Sequence, residues 1–437
     1  MGRTTRTSST RWRLGRWRTG VAALALATAG GLLAGCSSDG KPTLTWYLNP
    51  DGQDTLNAIA QRCSTDDYDI QTRLLPTSAT DQRVQLARRL AAEDDTTDLM
   101  NLDVAFVSEF ANAGWLLQLP DDTISDDTLS GIASTVQWDD GVYAAPLWAN
   151  TQVLWYRKSL AEQAGLDMSQ PVTWKQVIDA ADSVDGATVG VQGNKYEAYV
   201  VWINALIEGA GGQILSDPEA GKDAEVDLDT EAGKDAAAVI AQLAGSSAAQ
   251  SDLSVSNEGT ALAAMYGGPG EFMVNWTFVY KNYEPSDAND YSKDQFDDLG
   301  WARYPQTVAG EASKPPVGGI DVGVGAYTQY PEYAQEAAAC ITSVENQVQL
   351  AVDAGLMPAT SSGYDAQELT DAYPADLLDL YRRSIEDAGP RPQSPFWATV
   401  SSAIQATWHS PADVDPDTTP EKSQDYVTQV LEGKALL

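Results

Sequence analysis

A single histidine, His409, and three cysteines, Cys36, Cys63 and Cys340, are the whole supply of imidazole and thiol in 437 residues. One imidazole all but removes a Ser-His-Asp triad and a histidine-rich zinc site from consideration, and His409 reads as incidental. No Walker-type loop is present, and no Gly-x-Gly-x-x-Gly in a strand-to-helix setting, so a nucleotide phosphate would find no glycine-rich cradle. No catalytic residue, metal or cofactor is expected. What remains is carboxylates, amides, guanidinium groups and aromatic rings, which serve recognition or carboxylate-pair catalysis alike. Asp103 stands in Leu102-Asp103-Val104, apolar surroundings in which an unpaired carboxylate is costly. Arg391 stands in Gly389-Pro390-Arg391-Pro392, where two rigid rings immobilise a guanidinium fork suited to paired hydroxyls or carboxylates.

The first 35 residues read as an address. Six arginines precede any acidic residue, and an apolar run over 21–33 follows, too short to span a bilayer as a mature helix. The ending Leu33-Ala34-Gly35-Cys36 resembles the lipobox of bacterial lipoproteins, which implies lipidation of Cys36 and a mature N-terminus there. An ordinary signal peptide that ends near a cysteine is the alternative. Formal charge is −35, and it falls to −41 once the six arginines are removed. Nucleic acid and an anionic membrane surface would both repel such a chain. Membrane attachment is therefore expected only through the lipid on Cys36. Cys63 and Cys340 are left as an even pair in an oxidising compartment, expected to form one disulfide; two buried free thiols are the other reading.

Residues 37–42 are polar and read as the rest of a lipidated tether, 36–42. A first strand over Thr43–Leu48 is stopped by Asn49-Pro50-Asp51-Gly52, a strong turn signal. Helical spacing over 55–63, a strand over 68–75, a helix over 81–92 and a strand over 98–104 follow. Strands alternating with helices predict an open α/β sheet. Two strands are expected at 141–146 and 152–156, then mainly helices: 159–164, 174–182, 196–208, 230–243 and 258–265. Gly267-Gly268-Pro269-Gly270 breaks the chain before a strand at 272–276. The stretch from there to Pro316 reads as irregular, 318–324 as a strand and the remainder as largely helical.

The run Leu154-Trp155-Tyr156-Arg157-Lys158-Ser159-Leu160, followed by Ala164-Gly165-Leu166, Pro171 and Thr173-Trp174, resembles the opening of the second lobe in extracytoplasmic solute-binding proteins of ABC sugar importers. Gly318-Gly319 with the alternating strand after them, and Ala337-Ala338-Ala339-Cys340-Ile341 with Glu345-Asn346-Gln347, resemble the return segment of the same family. A closer resemblance, to the LpqY group of trehalose-binding lipoproteins of mycobacteria and related actinobacteria, rests on residues 82–92, Leu102-Asp103-Val104, 109–115 and Met273-Val274-Asn275-Trp276. The family resemblance implies a two-lobed, periplasmic-binding-protein-like α/β fold with discontinuous lobes and an interlobe cleft. Lobe 1 would comprise 43–146 and 277–327, and lobe 2 would comprise 152–275 and 329–437, with hinges near 147–151, 275–277 and 326–331. It also implies a monomer that closes on a disaccharide, trehalose foremost, and delivers it to a permease with a cytoplasmic ATPase.

Within that resemblance each candidate has a ligand role and a plainer one. Asn49 and Asp51 lie in the first ligand loop, or simply form a turn. Asp103 is a ligand acceptor or a cap for the next helix, and Asn150 at the first crossover is a ligand residue. Glu258 accepts from the ligand or stabilises a positive helix end. Trp276 stacks on a pyranose or packs in the core. Gly318 and Gly319 let backbone approach the sugar, and Arg391 meets the ligand or an ion pair across the cleft. Trp46, Trp148 and Trp155 are weaker aromatic candidates. Paired carboxylates with tryptophans also suit a secreted glycosidase, but nothing in the chain sets two carboxylates opposite each other. An adhesin would bind no small ligand.

Overall fold

The computed structural model describes residues 40–265, 270–286 and 291–437. The signal segment, Cys36 and the tether up to residue 39 lie outside the described residues, as do 266–269 of the glycine-rich break. Residues Lys41–Leu437 form one unit.

Strand β1 (Thr43–Leu48) pairs in parallel with β2 (Asp69–Leu74) and β3 (Leu99–Asp103). Its end is set by Gly52, whose φ of 65° is left-handed and costs glycine little before helix Gln53–Cys63 begins. Strands β4 (Gln137–Trp138) and β5 (Gly141–Val142) form a small antiparallel pair. Then β6, Ala144–Arg157, runs the depth of the molecule. β7 (Thr188–Gly190) follows, then the short pair β8 (Leu215–Ser216) and β9 (Glu225–Val226), then β10 (Glu271–Trp276), β11 (Leu299–Ala302) and β12 (Val317–Val324). The large sheet has the order β2-β1-β3-β12-β6-β10-β7, with β11 also on β6.

β6 joins two halves of this sheet. Residues 144–151 pair with β12, residues 152–156 with β10, and residues 154–157 with β11. Two separate strands, at 141–146 and 152–156, were expected here. The chain instead passes through Pro146 in one strand. Ile320 faces Trp148 and Asp321 faces Pro146, so Leu147 is the extra residue of a bulge and the missing N–H falls at an irregularity.

Local signals account for several helix starts. Thr173 and Gln176 form a capping box ahead of Trp174–Asp182, and Asn257 with Thr260 does the same for Glu258–Ala264. The stretch expected to be irregular holds helices Val279–Tyr283 and Lys293–Asp297 as well as β11. β11 exists because Gly300 gives up its side-chain space: a Cβ there would lie 2.5 Å from the Tyr156 ring.

Two elements fall differently from the expected lobe segments. β11, within 277–327, pairs with β6 at the same level as β10 rather than with β1–β3. Helix Pro331–Ile341, within 329–437, packs on β12 and on helix Gln53–Cys63, and Cys340 is bonded to Cys63 with their Cα atoms 5.8 Å apart. The buried core falls into two clusters that do not follow the lobes. One cluster gathers Trp46, Trp148, Trp174, Trp202 and Trp397, and a second centres on Trp155, Tyr280, Tyr373 and Tyr381.

Candidate ligand-binding site

The turn after β1 is built outward from the core. Trp46 Nε1 donates to Asn101 Oδ1 (2.8 Å), Asn101 Nδ2 to Asn49 Oδ1 (2.8 Å), and Asn49 Nδ2 to Asp51 Oδ2 (2.7 Å). Asn49 is only 2% exposed and both ends of its amide are engaged, so its work is to hold Asp51, which is exposed. The buried Asn101 behind it was not singled out from the sequence. Its signal is an amide in an otherwise apolar strand.

Asp51 acts electrostatically on Glu258, the first residue of its short helix. Burial pushes the Glu258 carboxyl above the usual range; Asp51 adds to this, while hydrogen bonds from the Tyr196 hydroxyl (2.5 Å) and from Trp276 oppose it. Trp276 ends β10 and is partly exposed, and its ring lies over Gly318, where a Cβ would sit 2.6 Å from Cζ3. At Gly319, φ is 144° and a Cβ would meet the Trp148 carbonyl oxygen at 2.3 Å. The two glycines thus make room for an indole and for β6. Asn150, opposite Gly318 in the sheet, lies with its Oδ1 3.1 Å from the Thr277 hydroxyl. Trp46, Trp148 and Trp155 are core residues, each 2% exposed or less.

A second group surrounds Arg391. Its Nη2 donates to Asp103 Oδ1 and its Nη1 to Glu197 Oε1, each at 2.8 Å. Asp103 also accepts from the Ala105 amide, so it caps the turn as well. Glu197 opens helix Glu197–Gly209 and accepts further from Trp397 Nε1 (2.8 Å) and the Ser401 hydroxyl. Burial pushes the Glu197 carboxyl up, and the Arg391 guanidinium and Ser401 draw it back. Arg391 stays charged, since its two carboxylates outweigh its burial. Asp321, fully buried in β12, is raised well above the usual range by burial and by the charge of Asp103. Glu197 and Asp321 went unnoticed in the sequence; an acid at the head of the apolar run 198–207 is the signal for the first.

The same helix carries Glu208, whose Oε2 lies where a Cβ on Gly389 would come within 1.4 Å. Burial, against Asn204 and Lys314, pushes its carboxyl from 4.5 up to about 7. Between those values the folded protein holds a proton that the unfolded chain has released. The resulting stabilisation is whole below the lower value and is lost as pH rises through the upper one. Wild type is therefore expected to lose up to about 3 kcal/mol relative to Glu208→Gln between about pH 5 and pH 8 in urea titrations. A difference that does not change with pH would refute this.

The structure thus brings Asn49, Asp51, Glu258, Trp276 and Gly318 into one linked set, and Asp103 and Arg391 into another; β12 runs past both. Acceptors, a tyrosine and a partly exposed indole suit a polyhydroxyl or otherwise polar neutral solute. Two surface hollows, of about 690 and 420 Å³, lie elsewhere, beside Val84 and Arg88 and beside Val348 and Val352.

An α/β sheet in two halves sharing a central strand, with polar side chains gathered where the halves meet, defines a two-lobed binding protein. The chain belongs to the bacterial extracellular solute-binding protein family, whose model matches residues 49–348. It is 26% identical over 255 residues to a Deinococcus radiodurans protein named "Probable ABC transporter-binding protein", covering 55% of this chain and 57% of that one. Thus the chain aligns with little more than half the length of that relative. Among solved structures it is similar to maltose-bound MalE3 of T. maritima, with TM-score 0.77 and 23% identity over 90% of this chain and 100% of that one. The GacH receptor of Streptomyces glaucescens, solved unliganded and with acarbose, gives TM-score 0.74 and 21% identity over 91% and 100%. These likenesses show the two-lobed fold.

Proposed function

We propose that this protein captures a disaccharide, trehalose foremost, by hinge closure and hands it to an ABC permease driven by a cytoplasmic ATPase. It does so as a monomer held at the outer face of the membrane by a lipid on Cys36. The observation that carries this reading is the linked set Asp51–Glu258–Trp276 over Gly318, which offers carboxylate acceptors beside an indole face. Asn49 positions Asp51, and Asn150 borders the same set. Gly319 lets β12 approach β6, and Asp103 with Arg391 closes the other side. A maltose-type sugar is the second reading, favoured by the maltose in the similar T. maritima structure. The LpqY-like motifs favour trehalose.

The lobes we propose follow the pairing. The first comprises residues 43–146 and 317–341; the second comprises 152–316 and 358–437, so that β11 stays beside β10. Crossovers then fall at 147–151, at the entry to β12 near 316–317, and between 341 and 358.

The test uses a soluble form beginning at Ser37, with its thermal midpoint followed against trehalose, maltose, sucrose and glucose. A ligand bound only by the folded state stabilises it by about 2.7 kcal/mol at a hundredfold excess over its dissociation constant. Trehalose is expected to raise the midpoint in wild type and to fail in Trp276→Ala. A rise with maltose alone would discard the trehalose reading, and no rise with any sugar would discard the sugar.

A further inference from the structure

Two of three neighbouring passages of the chain meet at one buried side chain. The first is β6 at 149–151, where its pairing changes from β12 to β10. The second is the entry to β12, whose Gly318 lies under the Trp276 ring and opposite Asn150. The third is the exit from helix Val344–Ala354, which packs on helix Gln53–Cys63 at one end of its journey. From there the chain goes on to helix Ala375–Glu386, packed on β6. Thr277, 1% exposed, sits among them. Its hydroxyl lies 2.9 Å from the Gly355 carbonyl oxygen and 3.1 Å from Asn150 Oδ1, and its own carbonyl accepts from Tyr381 at 3.1 Å.

A hydroxyl has one hydrogen to give, so it donates to one acceptor at a time, unless Asn150 turns its amide and donates back. Either way the first and third passages are joined through one oxygen. Beside it the Ala149 amide donates to the Met357 carbonyl at 2.9 Å, a second tie between the same two passages. Gly355 has φ 74°, and a Cβ there would lie 2.7 Å from Phe278 Cα, so the third passage is pressed against the residue that follows Thr277. Trp276, the ring that faces the candidate site, is the residue before it.

We propose that Thr277 is a positioning residue that couples Trp276 to the hinge. Its hydroxyl holds the passages in the arrangement in which the two halves of the site meet, and it does so without touching the solute. Removing the hydroxyl leaves the buried Gly355 carbonyl without this donor, while an opened hinge can hydrate it. The equilibrium then moves toward open forms, and apparent affinity falls by the fraction of competent molecules lost.

The inference rests on the binding reading only for its affinity arm. Thr277→Val keeps the shape and removes the hydroxyl, and Thr277→Ser restores it. By amide hydrogen exchange without sugar, the Ala149 amide, which donates to the Met357 carbonyl, is expected to exchange faster in Thr277→Val than in wild type. Affinity for whichever tested sugar stabilises wild type should be about tenfold weaker. Thr277→Ser should match wild type in both. Should Thr277→Val fail to fold, Tyr381→Phe, which removes only the donor to the Thr277 carbonyl, is expected to move both readouts the same way by less. Unchanged exchange in a folded Thr277→Val, or in Tyr381→Phe in its place, would overturn the proposal whatever the affinity does. If no sugar stabilises wild type, the sugar reading fails while the exchange still decides the hinge tie.

Discussion

Arg391→Met is expected to lower the unfolding free energy by about 3–5 kcal/mol, read as a lower urea midpoint at an unchanged slope. The reason is asymmetric burial. The Glu197 side chain is 4% exposed and that of Asp103 is 19% exposed, while Arg391 itself is 2% exposed. With the guanidinium gone, Asp103 can recruit water at its exposed edge. Glu197 cannot, and it keeps only the Trp397 and Ser401 donors for a charge in an apolar surrounding. A second substitution should therefore tell the two carboxylates apart. Glu197→Gln in the Arg391→Met background is expected to recover most of the loss, since the buried charge is removed with its partner. Asp103→Asn in the same background should recover little. Equal recovery by both would mean that the cost lies in lost packing of the arginine stem, not in an orphaned charge.

That contrast also shows where sequence reasoning reached and where it stopped. The rigid Pro-Arg-Pro setting marked Arg391, and the apolar strand marked Asp103, because each is a local departure from what its neighbours prefer. That the two meet, with Glu197 as the third member, depends on pairs 288 and 194 residues apart in the chain. No local pattern encodes such distances. Most strands and helices were legible for the same reason that Arg391 was, since their periodicity, caps and turns are local. The double strand expected around Pro146 became one because a bulge opposite Ile320 and Asp321 absorbs the missing donor, and a bulge is a property of the partner strand. β11 was hidden by a Pro-, Asp- and Gly-rich composition. It forms because Tyr156, far back in the chain, occupies the space over Gly300. Gly318 and Gly319 were read as leaving room for a solute. The room is taken by Trp276 at Gly318 and by the Trp148 carbonyl at Gly319, so Gly318 bears on the site through the indole and Gly319 through the approach of β12 to β6.

The Cys63–Cys340 bond has the other large expected effect, because it closes a sequence separation of 277 residues. Constraining so long a loop removes chain entropy from the unfolded state worth about 6 kcal/mol in the simple loop model, and native strain lowers what is realised. Replacing both cysteines with alanine is therefore expected to cost about 3–5 kcal/mol in urea unfolding. Two features argue that the fold survives the loss. Helix Pro331–Ile341 still buries Ala334, Ala337, Ala338 and Ile341. Asn346 still donates to the Cys340 carbonyl at 2.7 Å and accepts from Arg62. Those backbone and side-chain contacts do not need sulfur, so the helix should stay docked on helix Gln53–Cys63 in the folded protein. The loss should then appear in the unfolded state, as a steeper dependence on urea as well as a lower midpoint, because the uncrosslinked chain expands further and exposes more surface. A double-alanine variant with the wild-type midpoint would show that the bond adds nothing to contacts already sufficient to hold the two helices together.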